Sequence, residues 1–203
     1  MTPRTKTPPV ASLRDRLLAA ADELFRKHGI RGVGVEAIAE AAATNKMTLY
    51  RYFESKDGLI GEWMKGLIAQ KEAELAELAA AHKGDPTAHL QAWSRLLAKK
   101  LAESEGRSSV LHNAIAEIPD PDHPARRFLQ AHKQREHKRV RRLCEEAGFQ
   151  NPDLAANLFF MMLEGATNSV NWIGTRQIGE HLVQLVDLMV ENTRTQGRRP
   201  QRL

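Results

Sequence analysis

Apolar positions recur with a helical period along nearly the whole chain. After Ser12, the row Leu13, Leu17, Ala20, Ala21, Leu24, Phe25 and His28 predicts one buried stripe, capped by Ser12 and ended by Gly29. Val35, Ile38, Ala39 and Ala42 predict a short helix behind Gly34, and a tight turn at Ala43-Thr44 leads to a third. There Asn45 is a good N-cap, Leu49 and Phe53 face inward, and Lys46, Thr48, Tyr50, Arg51 and Tyr52 are left for the other faces. Ser55 caps a longer helix from Asp57 to about His82, with Leu59, Ile60, Trp63, Met64, Leu67 and Ile68 as its apolar side. Asp85-Pro86 is a cap followed by a first-turn proline, and the helix behind it carries Leu90, Trp93, Leu96, Leu97 and Leu101.

Gly106-Arg107 breaks that helix, and Ser108 or Ser109 starts another through Ile118. Pro119 to Pro124 cannot be helical. A helix from Pro124 to Ala147 follows, with Phe128, His132, Val140, Leu143, Cys144 and Ala147 as its expected inner row. Asn151-Pro152 opens a helix to about Ile173 that is apolar round much of its circumference, from Leu154 and Leu158 through Phe160 and Met161 to Trp172. A helix this apolar is fully buried, and in a small chain its spare face can be buried by a second copy. The last helix, Ile178 to about Thr193, offers Leu182, Leu185, Val186, Leu188, Met189 and Val190. With no strand alternation, repeat or glycine-rich phosphate loop, the expected fold is all-α with about nine helices. Residues 1–11 are expected as a disordered arm and 197–203 as a disordered basic tail.

Composition narrows the function. Hydrophobic residues at 42% and charged residues at 27% are those of a soluble globular protein, and no apolar run approaches a membrane span. A net charge of +5 permits nucleic acid without demanding it. The single cysteine, Cys144, excludes an intramolecular disulfide framework and fits a reducing cytoplasm. It falls on an inner row without an activating neighbour, and the eight histidines lack metal-ligand spacing. No metal, cofactor or enzymatic activity is expected. The cations of 126–142 (Arg126, Arg127, Lys133, Arg135, Lys138, Arg139, Arg141, Arg142) form a second basic run, read here as the solvated outer face of a core helix.

Helix, short helix, turn and capped helix is the helix-turn-helix arrangement. Its residues here are Ile38-Ala39-Glu40-Ala41-Ala42, Thr48-Leu49-Tyr50-Arg51-Tyr52-Phe53 and Ser55-Lys56-Asp57-Gly58-Leu59. On these, residues 12–60 resemble the DNA-binding domain of the TetR (tetracycline repressor) family of bacterial regulators. Two departures stand out: Ala43 replaces the family's turn glycine, and Glu36 places a carboxylate where relatives have a neutral or DNA-contacting residue.

The resemblance implies a homodimeric transcriptional regulator, most simply a repressor that leaves a near-palindromic operator when a small molecule binds. Residues 61–196 would then form the ligand-binding and dimerisation domain. Lys46, Met47 and Arg51 are the expected base readers; Thr48, Tyr50, Tyr52 and Lys56 match phosphate-gripping positions, with Thr44 and Asn45 beside them. Pocket candidates are Trp63, Trp93, Leu97, His112, Phe128, His132, Phe159, Met162, Asn168 and Trp172, a mixture suited to an apolar or aromatic effector. The last two helices would form the dimer interface through Leu158, Met161, Gly165, Ala166, Leu182, Leu185 and Met189. The alternative is a ligand-binding or interaction dimer that has lost specific DNA reading.

Overall fold

The computed structural model describes residues 12–104 and 110–196, except for the side chains at 112, 171 and 193–196. The arm at 1–11, the tail at 197–203 and the break and helix start expected at 106–109 lie outside the described residues.

Among the described residues the structure is wholly helical. The helices are α1 (Leu13–His28), α2 (Val35–Ala41), α3 (Lys46–Phe53), α4 (Lys56–Ala81), α5 (Pro86–Glu103), α6 (Val110–Ala116), α7 (Pro124–Glu146), α8 (Pro152–Ile173) and α9 (Thr175–Gln196). The starts follow side-chain capping: Ser12, Asn45, Ser55, Asp85 and Asn151 each accept a backbone N–H from the first turn of α1, α3, α4, α5 and α8. The α7 cap is less common, with His123 Nδ1 accepting from the Ala125 N–H. Helix α9 begins a turn earlier than its first apolar residue, Ile178, because Gly174 reverses the chain at φ 94 and α9 starts straight after it.

Two apolar cores form. The first joins α1, α2, α3 and the start of α4, around Leu17, Ile38, Leu49 and Leu59, and it also takes in Ala114 and Ile118 beside α6 and Ala125 and Leu129 from α7. The second lies among α5, α7, α8 and α9, around Leu90, Val140, Phe159 and Val186. The 26-residue α4 runs through both, contributing Leu59 to the first and Leu75 to the second.

Some faces are rotated from the expected rows. His28 is exposed, so the inner row of α1 ends at Phe25. On α7 the buried row is Ala125, Leu129, His132, Glu136, Val140, Leu143 and Cys144. Leu129 rather than Phe128 points inward, because that phase keeps 125, 129, 132 and 136 on one stripe at three-and-four spacing. Phe128 is 42% exposed, with Lys65 Nζ over its ring at 4.7 Å.

Candidate nucleic-acid interface and effector cavity

The turn between α2 and α3 is a Schellman closure. Thr44 N–H bonds the Ala39 carbonyl at 2.8 Å and Ala43 N–H bonds the Glu40 carbonyl at 2.9 Å, with Ala43 at φ 52. The closure after α7 has the same bonds but places Gly148 at φ 81. Asn45 Oδ1 then accepts from Thr48 N–H at 2.9 Å and starts α3.

Leu49 and Phe53 are buried, which fixes the rotation of α3 and turns Asn45, Lys46, Met47, Arg51 and Tyr52 to the surface. Met47 is 80% exposed, unusual for a large apolar side chain. Thr44, Thr48 and Tyr50 are half-buried, Tyr50 packing against the first core. Lys46 Nζ lies 2.6 Å from Glu36 Oε1 and 5.7 Å from the Tyr50 ring centre; the Arg51 guanidinium lies 5.6 Å from that of Tyr52. The hydrogen bond from Lys46 is the main reason that the Glu36 carboxyl sits below its usual range. Lys56 is partly committed elsewhere, donating to the Ile30 carbonyl at 2.7 Å and tying the start of α4 to the loop after α1.

A cavity of about 670 Å³ opens between the two cores. Trp63, Leu67, Trp93, Leu96, Leu97 and Leu129 form its apolar wall, and Lys71, Lys133, Glu136, Glu164 and Thr167 are among its polar groups. Of the residues named from the sequence as pocket candidates, Trp63, Trp93 and Leu97 line this cavity.

The remaining pocket candidates are placed differently. Phe159 is fully buried in the second core, edge-on to Trp93 at 5.8 Å, and Met162 packs against that core; neither lines the cavity. Asn168 is exposed and returns its amide to the Glu164 carbonyl, while Thr167 takes the lining position. Trp172 is 87% exposed on the outer side of α8, and Phe128 is on the outer side of α7. His132 is fully buried beside the cavity rather than on its wall, bonding Glu72 through Nδ1 at 3.0 Å. His112 lies on α6, and its side chain is outside the described residues.

Residues in or just after α1 and α6 also line it, among them Phe25, Arg26, Ile30, Leu111, Ala114 and Glu117. The periodic row of α1 marks Phe25 as buried but gives no sign that α6 docks against it, so these lining residues escape a sequence reading.

Residues 17–62 match the model of the "Bacterial regulatory proteins, tetR family". A TetR-family regulator from Streptomyces coelicolor, SCO4454, superposes with a TM-score of 0.83 at 26% identity, over 89% of this chain and 95% of that one. Residues 17–62 are a TetR-family DNA-binding domain, and the chain as a whole shares the fold of a TetR-family regulator. The curated relatives align only through the N-terminal part. The HTH-type regulator Rv1255c of Mycobacterium tuberculosis is 44% identical over 45 residues, 22% of either chain. The HTH-type transcriptional repressor KstR2 of Rhodococcus jostii is 32% identical over 68 residues, 34% of this chain and 33% of that protein. The matched segments thus span about a fifth to a third of these curated HTH-type regulators.

On this TetR-family framework the second basic run is largely internally neutralised. Arg135 and Arg139 reach Glu72 at 3.2 and 3.7 Å, Arg141 reaches Asp153 at 2.7 Å, and Arg142 reaches Glu146 at 3.6 Å. Arg126 donates to the carbonyls of Ile118 and Ile115. The run behaves as the ion-paired exterior of a core helix. Cys144 is fully buried, and burial pushes its thiol up to about 11, which leaves it an inert core residue. Among the described residues no group of three or more His, Cys, Asp or Glu is placed to hold a metal, and no helix is long and apolar enough to cross a membrane.

The residues expected at a dimer interface divide. Ala166, Leu182 and Met189 are buried in the subunit's own second core. Leu158, Met161, Gly165 and Leu185 are exposed, as are the apolar side chains of Leu154, Trp172, Ile173 and Leu188 on the same two helices.

Proposed function

We propose that the protein is a homodimeric transcriptional repressor that binds a near-palindromic double-stranded operator and leaves it when a small molecule fills the cavity. The outward face of α3 carries the reading. Met47, Lys46, Arg51 and Tyr52 are exposed on a helix whose opposite side is locked into the first core by Leu49 and Phe53. Such a helix presents cations to guanine acceptors, a thioether to a thymine methyl and phenols to phosphates. Thr44, Asn45, Thr48 and Tyr50 stand beside them, and Lys56 serves first as a brace for the domain. A second copy is the occupant that fits the apolar face of α8 and α9, since an apolar face on the last two helices is what a two-fold four-helix interface needs. Two-fold pairing would set the α3 helices about one DNA turn, or a small multiple, apart.

The cavity has a direct mechanical route to the DNA-binding unit. Trp63 lines it and donates from Nε1 to Asp22 of α1 at 2.8 Å. Glu117 lines it and accepts from the Arg31 N–H at 2.8 Å, in the loop between α1 and α2. A ligand that moves α4 or α6 therefore shifts α1, and the equilibrium moves toward a form whose α3 helices no longer match the groove spacing.

The test is fluorescence anisotropy on the DNA upstream of the chain's own coding sequence, across a salt series. Lys46→Ala and Tyr50→Ala are expected to weaken binding by about 1 kcal/mol or more each, and Lys46→Ala to flatten the salt slope by about one. Parent-like binding by both variants would sink the reading. The alternative, a dimer that has lost DNA reading, has Ala43 and Glu36 as its support. Ala43 adopts the turn that glycine would, so that alternative rests on Glu36 alone.

A further inference from the structure

The buried polar groups of the cavity wall collect where α4, α7 and α8 meet. Lys71 Nζ lies 2.8 Å from Glu136 Oε1; Lys133 Nζ lies 3.7 Å from Glu136 Oε2 and also pairs with Glu164. Two ammonium groups face two carboxylates, so the corner is balanced. Behind it Glu72 is matched by His132, Arg135 and Arg139. A ligand ion of either sign would have to shed its hydration into a wall of Trp and Leu or separate an existing pair, and both are costly.

One oxygen of the corner lacks an aligned hydrogen bond. Glu136 is 2% exposed, and its Oε1 has no hydrogen-bond partner among the described residues. Lys71 Nζ at 2.8 Å and His132 Nε2 at 3.5 Å are near enough to pair with that oxygen, but neither is aligned to donate to it. Burial pushes the Glu136 carboxyl up, but His132, Lys71 and Lys133 outweigh it and bring it down to about 2, so it is ionised and only accepts. Lys71 only donates. A hydroxyl does both from one atom: it gives its proton to the carboxylate and takes an N–H from the ammonium. A carboxylate can only accept and an ammonium can only donate.

We propose that the cavity takes a neutral, largely apolar molecule bearing a phenolic or alcoholic hydroxyl, whose oxygen bridges Glu136 and Lys71 while its hydrocarbon body lies against Trp63, Trp93 and Leu97. The proposal rests on the cavity being the effector site. It can nevertheless be tested without DNA.

Isothermal titration of the full chain at pH 7 would use four probes on one skeleton: para-phenylphenol, biphenyl, biphenyl-para-carboxylate and para-phenylbenzylamine. The phenol is neutral at this pH. It is expected to bind about tenfold more tightly than each of the others, as a buried site built to hydrogen-bond one group discriminates against analogues without it. Glu136→Gln should weaken the phenol at least about fivefold while leaving biphenyl within about twofold. If that variant does not fold, the ranking on the unmodified protein still decides. Tightest binding by the carboxylate or the amine would overturn the proposal, as would a phenol no better than biphenyl or no binding by any probe. The expected ranking with no operator release by the phenol would support the proposal while refuting the effector role.

Discussion

Ala43 holds a left-handed backbone that a side chain resists by about 1–2 kcal/mol, and the two Schellman bonds, from its own N–H and from that of Thr44, keep it there. Ala43→Gly should therefore stabilise the protein by about 1 kcal/mol, raising Tm by roughly 2–4 °C in a thermal melt. An unchanged or lower Tm would show that the turn is unstrained. Gly58 is the opposite case. A Cβ there would stand 2.1 Å from the Phe53 carbonyl, where α3 hands over to α4, and a backbone oxygen cannot swing away. Gly58→Ala should cost about 1–3 kcal/mol by the same measurement. Glu36 holds Lys46 in the DNA-free protein, so Glu36→Gln should free a cation for the duplex. The expected result is tighter binding, read by anisotropy. The strain at Ala43 is legible in the sequence only through the family resemblance, which places a glycine at that turn position. The bar at Gly58 and the Glu36–Lys46 pair are not, because each depends on how two helices meet.

Helix ends were the legible part of the elements, because capping is local chemistry: Ser12, Asn45, Ser55, Asp85 and Asn151 all cap where their side chains imply. Faces were less legible. On α7, Phe128 and Leu129 are both large and apolar, and only packing against the first core selects Leu129. Over residues 154–163 of α8 nearly every position is apolar, so periodicity could not separate Phe159 and Leu163, buried within the subunit, from Leu158 and Met161, left outside. That outer face is the proposed dimer seam. The double variant Leu158→Asp and Met161→Glu should convert a dimer to a monomer in size-exclusion chromatography with light scattering, with helicity retained by circular dichroism. A dimer that survives both charges would place the seam elsewhere.

At the scale of the whole molecule, the cavity was the least legible feature, since it is walled by segments as distant in sequence as Phe25, Trp93 and Glu164. Its ion pairs also set an acid limit on the fold. The Glu136 carboxyl is depressed from 4.5 to about 2 on folding, so its stabilising contribution is complete above about pH 4.5 and is lost as pH falls toward 2. Lys71 is itself lowered, first by desolvation, so protonating Glu136 leaves a poorly solvated ammonium beside Lys133 and adds to the loss. Stability followed by denaturant melts should fall through that window, and Glu136→Gln should flatten the fall. The three tryptophans also divide by location. Trp63 and Trp93 stand in the cavity wall, and Trp172 stands 87% exposed on the outer face of α8. The molecule thus carries two kinds of intrinsic fluorophore: one whose emission answers to what enters the cavity, and one whose colour and quenching by iodide answer to whether a second copy has covered it.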